Sequence, residues 1–164
     1  MGGGVVPVAF HKGQILFLFG QEYDELKWAD FGGSTETGET YLQTATREGS
    51  EELNGLYGTF VDIHNLIKTC LLNAIELNNH KTFFVQVPYD PNLPIYFNNQ
   101  YRFIKKQYPH LIDKKGLFEK RQMRWFSLSE IKKNRHLFRP VYRDFTDEIL
   151  LQEPTFRANK IKNL

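Results

Sequence analysis

At the centre of the chain Arg47-Glu48-Gly49-Ser50-Glu51-Glu52 sets three carboxylates and one guanidinium within six residues. Carboxylate oxygens gathered at one point are hard ligands of the kind that Mg²⁺ or Mn²⁺ takes. Glu48, Glu51 and Glu52 stand at i, i+3 and i+4, so a helix brings them to one side. Like charges at that spacing cost a helix about 0.2–0.5 kcal/mol per pair. Keeping all three implies that something positive meets them.

The element that must position them is a helix. Thr40 followed by Gln43 has capping-box spacing and predicts the helix start. Leu42, Ala45, Gly49 and Leu53 then form the expected core stripe, with the glutamates expected on the opposite, solvent-facing side. On that reading Glu52→Gln should abolish turnover and leave the fold intact. A purely structural alternative is a solvated acidic helix face with an Arg47–Glu51 pair at i, i+4.

With Gly33 and Glu39 included, the stretch from Gly33 to Gly55 resembles the Nudix box. That motif is Gly, five residues, Glu, seven residues, Arg-Glu, an apolar residue, any residue, Glu-Glu, any residue, Gly, apolar. Gly33, Glu39, Arg47, Glu48, Glu51 and Glu52 stand in register. Two positions depart: Gly49 stands where an apolar residue is usual, and Asn54 where the second Gly is usual. Asn tolerates the left-handed conformation after a helix, and Gly55 follows it. Gly49 costs a helix about 0.5–1 kcal/mol relative to Ala but permits close packing on a neighbouring strand.

The resemblance implies an α/β fold, a Nudix-type α/β/α sandwich with a mixed β-sheet and flanking helices. It implies hydrolysis of a pyrophosphate bond in a nucleoside diphosphate linked to another group, with Mg²⁺ or Mn²⁺ on Glu48, Glu51 and Glu52. Arg47 would hold Glu48 or Glu51 in position. Either Glu48 or Glu119 would take the proton of the attacking water. Glu119 qualifies because an acidic residue, a strand with Trp125 and then Ser127-Leu128-Ser129-Glu130 resembles the C-terminal part of such domains. Gly33 would let the loop turn tightly, and Glu39 would add an outer ligand or fix the loop. Trp28 or Phe31 would stack on a base unless it is simply core.

Composition agrees with a globular enzyme. The chain has 164 residues, 41% hydrophobic and 15% aromatic, which fits one domain over 1–164 and excludes a disordered chain. Cys70 is the only cysteine, so no internal disulfide forms; a cytoplasmic setting and a small core role for Cys70 are expected. No apolar run reaches membrane-spanning length, and no signal-peptide pattern is read at the start. Charge is uneven: residues 1–99 carry five Lys/Arg and twelve Asp/Glu, residues 100–164 sixteen and seven, hence −7 and +9. An acidic half beside a basic half suits a polyanion carried with a metal, although basic helices facing water explain it equally well.

The substrate classes are ordered accordingly. A nucleoside triphosphate or dinucleoside polyphosphate comes first. Capped messenger RNA comes second, motivated by the basic C-terminal part (about 98–152) and its aromatics. A diphosphoinositol polyphosphate comes third, and a non-catalytic nucleotide or RNA sensor is the alternative outside enzymes. A homodimer is an admitted assembly.

Along the chain, Gly2–Gly4 reads as a flexible start, and Val5–Phe10 with Gln14–Phe19 as a β-hairpin across His11-Lys12-Gly13. Residues 20–27 read as a loop. Residues 56–63 read as a strand or irregular return, and residues 64–77 as a helix with a strand pair as the alternative. Residues 82–87 read as a strand, and the prolines at 88, 91 and 94 as a loop. A helix is expected over 98–108, a turn at Lys114-Lys115-Gly116, a strand over 123–126, a capped helix from Ser127, and a last helix over 141–152. The tail after Pro154 reads as loosely held.

Overall fold

The computed structural model describes residues 1–112 and 118–162. The expected turn at Lys114-Lys115-Gly116 lies outside them. The strands are β1 (Gly2–His11), β2 (Gln14–Glu22), β3 (Trp28–Ala29), β4 (Phe31–Ser34), β5 (Leu71–Leu77), β6 (His80–Gln86) and β7 (Lys120–Ser127). The helices are α1 (Tyr41–Glu52), α2 (Phe60–Cys70), α3 (Leu93–Gln107), α4 (Leu128–Lys133), α5 (Arg143–Leu151) and α6 (Glu153–Ala158).

Lys12 and Gly13 both take positive φ (47° and 79°), the two-residue hairpin geometry that matches strand twist, and pair His11 with Gln14. The sheet runs β3-β2-β1-β6-β5, with β4 added to β1 and β7 to β2. β1 lies parallel to β6 and antiparallel to β2 and β4, so the sheet is mixed.

Both faces of this sheet are covered, because successive residues of β1 and β2 point to opposite sides and both sets are apolar. Val6, Val8, Phe17 and Phe19 pack with Phe145 and Ile149 of α5 and Phe156 of α6. Val5, Ala9, Leu16 and Leu18 pack with Ala45 of α1, Ile63 and Ile67 of α2 and Phe97 of α3. The result is the α/β/α sandwich that the sequence implied.

Five expectations need correction. Gly2–Gly4 is the start of β1, buried and paired with both β4 and β6. A side chain at Gly3 would run into the Tyr41 carbonyl, and one at Gly4 into the Asp30 carboxylate. Glycine is there for close approach, not for mobility. The stretch 56–77 divides differently from the helical reading. Thr59 and Asp62 form a capping box that starts α2, which ends at Cys70. β5 follows and turns into β6 through Asn78 and Asn79, both at positive φ. α3 starts at Leu93, earlier than expected, because Pro94 sits in the first helical turn where its missing N–H costs nothing. The tail is not loose: α6 buries Phe156 completely, and the Ile161 backbone exchanges hydrogen bonds with the Gln86 side chain at 2.7 and 2.9 Å. Cys70 closes α2 half-buried rather than in the core.

Candidate functional site

The capping box starts α1 as expected: Gln43 N–H donates to Thr40 Oγ1 at 3.3 Å, and Thr40 N–H to Gln43 Oε1 at 2.9 Å. One turn further, Arg47 gathers the surrounding loop. Its Nε and Nη2 donate to the two oxygens of Glu39 at 2.9 and 3.1 Å, a fork matched to a carboxylate. Its Nη1 reaches Glu48 at 2.7 Å and lies 3.6 Å from Glu51, while Nη2 also donates to the Ser34 carbonyl. Glu39 accepts further from Thr44 Oγ1 and Glu36 N–H. The Arg47 bonds, followed by the Glu36 N–H, hold the Glu39 carboxyl down at about 2.

Gly33 does not make the tight turn expected of it; it lies in β4, with no positive φ. A Cβ there would stand 2.5 Å from Glu48 Oε1, so glycine lets the Glu48 carboxylate lie against the strand. Gly49, in the same helix, faces Val5 Cγ1 of β1, where a Cβ would stand at 2.6 Å. That close approach explains the departure from an apolar residue. Asn54 takes φ 50°, and Gly55 takes 73°.

These contacts leave an open cleft of about 470 Å³, into which Glu36, Glu48, Glu51 and Glu119 present carboxylates beside Arg47 and the Gly33–Ser34 backbone. Burial raises the pKa of Glu48 against the pull of Arg47. It raises that of Glu51 as well, with Glu119 adding to the effect. Carboxylate oxygens in an open cleft are hard donors of the kind a divalent cation takes. They line the cleft without converging. Among the described residues, no group of three or more His, Cys, Asp or Glu side chains is arranged to hold a metal ion.

Glu52 is the departure. It is 2% exposed and does not line the cleft. Seven residues separate it from Ala45, about two helical turns, so it falls on the core stripe and not on the opposite face. Its Oε2 accepts the Gly32 N–H at 2.7 Å, and its Oε1 lies 3.2 Å from Lys120 Nζ. The expected metal trio of Glu48, Glu51 and Glu52 is therefore split: the first two face the cleft and Glu52 faces the interior.

The two aromatic candidates for base stacking are core residues. Trp28 packs edge-on against Phe126 with 5.0 Å between centroids, and Phe31 is fully buried. Neither has a face to offer a base.

A second cavity, of about 640 Å³, adjoins the cleft along Gly33 and Ser34. Ala29, Leu77, Tyr142 and Phe145 give it apolar walls, and Asp30, His80 and Arg139 give it polar and charged ones. His80 Nε2 lies 2.8 Å from Asp30 Oδ2, which also accepts from Thr82 Oγ1 at 2.7 Å. Burial opposes charge on both partners, yet their pairing, helped by Thr82, leaves Asp30 below and His80 above their ordinary values. Asp30, His80, Arg139 and Lys120 were missed in the sequence because no local spacing joins them.

No protein-family model matches the chain, and no curated protein matches it. Solved structures do share its architecture. An Ap4A hydrolase of C. elegans in a binary complex aligns over 98% of this chain and 100% of its own, at 18% identity and a TM-score of 0.57. A Listeria monocytogenes protein assigned as a NUDIX hydrolase aligns over 100% and 99%, at 15% identity and 0.52. A bifunctional NMN adenylyltransferase/ADP-ribose pyrophosphatase of Francisella tularensis, complexed with AMP and manganese, aligns over 91% of this chain and 40% of its own, at 20% identity and 0.50. At such identities the likeness speaks to architecture, and the chain accordingly has the fold of the Nudix hydrolases.

Proposed function

We propose that the chain is a cation-dependent pyrophosphohydrolase that cleaves a phosphoanhydride in a nucleotide. One observation carries this reading: Glu36, Glu48, Glu51 and Glu119 line a single open cleft beside a partly apolar cavity that His80 and Arg139 also line. Such a layout suits a diphosphate in the cleft and a nucleoside in the cavity.

Glu48 and Glu51 would hold the cation, with Glu36 and Glu119 at the rim. When bound, the cation neutralises phosphate oxygens and lowers the pKa of its water. The chain's own groups do the rest. Arg47 holds Glu48 against Gly33 and keeps its carboxylate aimed at the cleft. The attacking water would give its proton to Glu48 or Glu119, both of which line the cleft. His80 and Arg139 donate to substrate oxygens at the cavity mouth.

A nucleoside triphosphate or dinucleoside polyphosphate is the first substrate class, in keeping with the Ap4A hydrolase among the solved relatives. Capped RNA is the second, favoured by the outer side of α3. There Tyr96, Phe103 and Tyr108 are exposed beside Arg102, Lys105 and Lys106, a set that can stack bases and meet phosphates.

The test is a panel of nucleoside triphosphates, dinucleoside polyphosphates, nucleotide sugars, a diphosphoinositol and capped RNA, run with Mg²⁺ or Mn²⁺ against a Glu48→Gln control. We expect cation-dependent turnover of a nucleotide and a loss of about 10²-fold or more in the variant. No cation-dependent turnover of any member would leave a binding module in its place.

A further inference from the structure

Lysine is almost never fully buried unless it is paired, and Lys120 is 1% exposed. Its Nζ lies 2.5 Å from Glu22 Oε1 and 3.2 Å from Glu52 Oε1. The buried ammonium thus stands between two carboxylates, one on β2 and one at the end of α1. Glu52 Oε2 accepts the Gly32 N–H, and its Oε1 is the oxygen beside the Lys120 ammonium.

The arrangement is built by the strands. β2 pairs with β7 in regular register from Leu16↔Ser127 to Gln21↔Gln122, and then slips so that Glu22 faces Lys120 and passes over Arg121. Glu22 shares the side of Leu16 and Leu18, the side that α1 covers. Regular pairing would set Arg121 across from Glu22 and point Lys120 to the other face of the sheet. The bulge is what delivers an ammonium to Glu52.

We propose that Lys120 is a built-in cation beneath the cleft. Its ammonium takes the place next to Glu52 that a divalent ion would otherwise occupy. Glu52 then anchors the Gly32–Gly33 strand, and the bound divalent ion is confined to the side of Glu48 and Glu51. Sterics and charge both require this division. A hard divalent ion on Glu52 would have to sit about 2.0–2.6 Å from its oxygens, in the space the ammonium fills. The same anchor sets the strand against which Glu48 lies, so Lys120 is a positioning residue for the cleft. The inference rests on the hydrolase reading above, because it concerns where that reaction's cation is held.

The experiment is Mn²⁺ binding to the full chain without substrate, followed by electron paramagnetic resonance and calorimetry. Wild type is expected to bind one Mn²⁺ per chain. Loss of an outer partner of a metal ligand typically costs about 10–100-fold in affinity, and loss of a ligand at least as much. Glu48→Gln should therefore weaken binding by more than about 100-fold, and Glu52→Gln, which removes an outer support but keeps an oxygen for the Gly32 N–H, by only about tenfold. Lys120→Met, where folded, should gain a second Mn²⁺ on the released carboxylates. The wild-type and Glu52→Gln arms do not depend on that variant. Two Mn²⁺ of comparable affinity in wild type, or a loss in Glu52→Gln as large as in Glu48→Gln, would overturn the proposal and leave the hydrolase reading standing. No Mn²⁺ binding by wild type would overturn both.

Discussion

Arg47 shows how much one side chain can organise. Three of its contacts, to Glu39, Glu48 and the Ser34 carbonyl, come from different parts of the loop and helix, and only a planar guanidinium can make them together. Glu39 reports on that arrangement through pH. Its carboxyl sits at about 2 in the folded chain against an ordinary 4.5. A depressed folded value means that the stabilisation is fully present above about 4.5 and lost as pH falls towards about 2. Wild type should therefore be more stable than Glu39→Gln at pH 7, and the gap should close between pH 4.5 and 2 in denaturant titrations. A constant gap would show that Glu39 acts by packing alone. Glu52 teaches a different lesson. Its carboxylate was expected to face solvent, and its substitution to leave the fold untouched. Buried against Lys120 and Gly32, it makes Glu52→Gln a change of structure as well as of charge.

At the scale of elements, glycine and phenylalanine decide how closely layers meet. Gly49→Ala would gain helix propensity of about 0.5–1 kcal/mol. It would also press a methyl against Val5, itself fully buried and unable to yield. Overpacking costs about 1–3 kcal/mol, so the variant should be net less stable in urea, against the propensity scale. α6 is the other case. Phe156 meets Phe17 and Phe84 edge-on with 5.2 Å between centroids in each pair. Phe156→Ala should cost about 3–5 kcal/mol, measured by thermal or chemical unfolding. A loose tail would show no effect. The elements 56–77 and 153–158 were misjudged from sequence for related reasons. A six-residue helix such as α6 is too short for periodicity to be read. The Asn78–Asn79 turn, which ends β5 and starts β6, follows a run whose helical and strand patterns are equally good.

For the molecule as a whole, the acidic and basic halves meet at β7, where Glu119 borders the cleft and Lys120 lies beneath it. The outer side of α3 belongs to the basic half and lies apart from both cavities. Tyr96→Ala combined with Phe103→Ala should leave turnover of a free nucleotide unchanged. If capped RNA is the substrate, the same pair should weaken it by about tenfold or more, since stacking contributes about 1–3 kcal/mol per base. Steady-state kinetics on both substrates separate the cases.

What the sequence determined by itself is whatever depends on short spacing. The register of Gly33, Glu39, Arg47, Glu48 and Glu51, the helix start at Thr40, the hairpin at Lys12-Gly13 and the cap at Ser127 are all set within a few residues, where backbone geometry leaves little choice. Even the burial of Glu52 is implicit in its distance from Ala45. Tertiary structure alone decided that Trp28 and Phe31 are core, that Lys120 turns inward through a one-residue slip of register, and that Asp30, His80 and Arg139 wall a cavity beside the carboxylates. Those outcomes depend on strands and helices far apart in the chain, and a pairing shifted by a single residue sends a side chain to the opposite face.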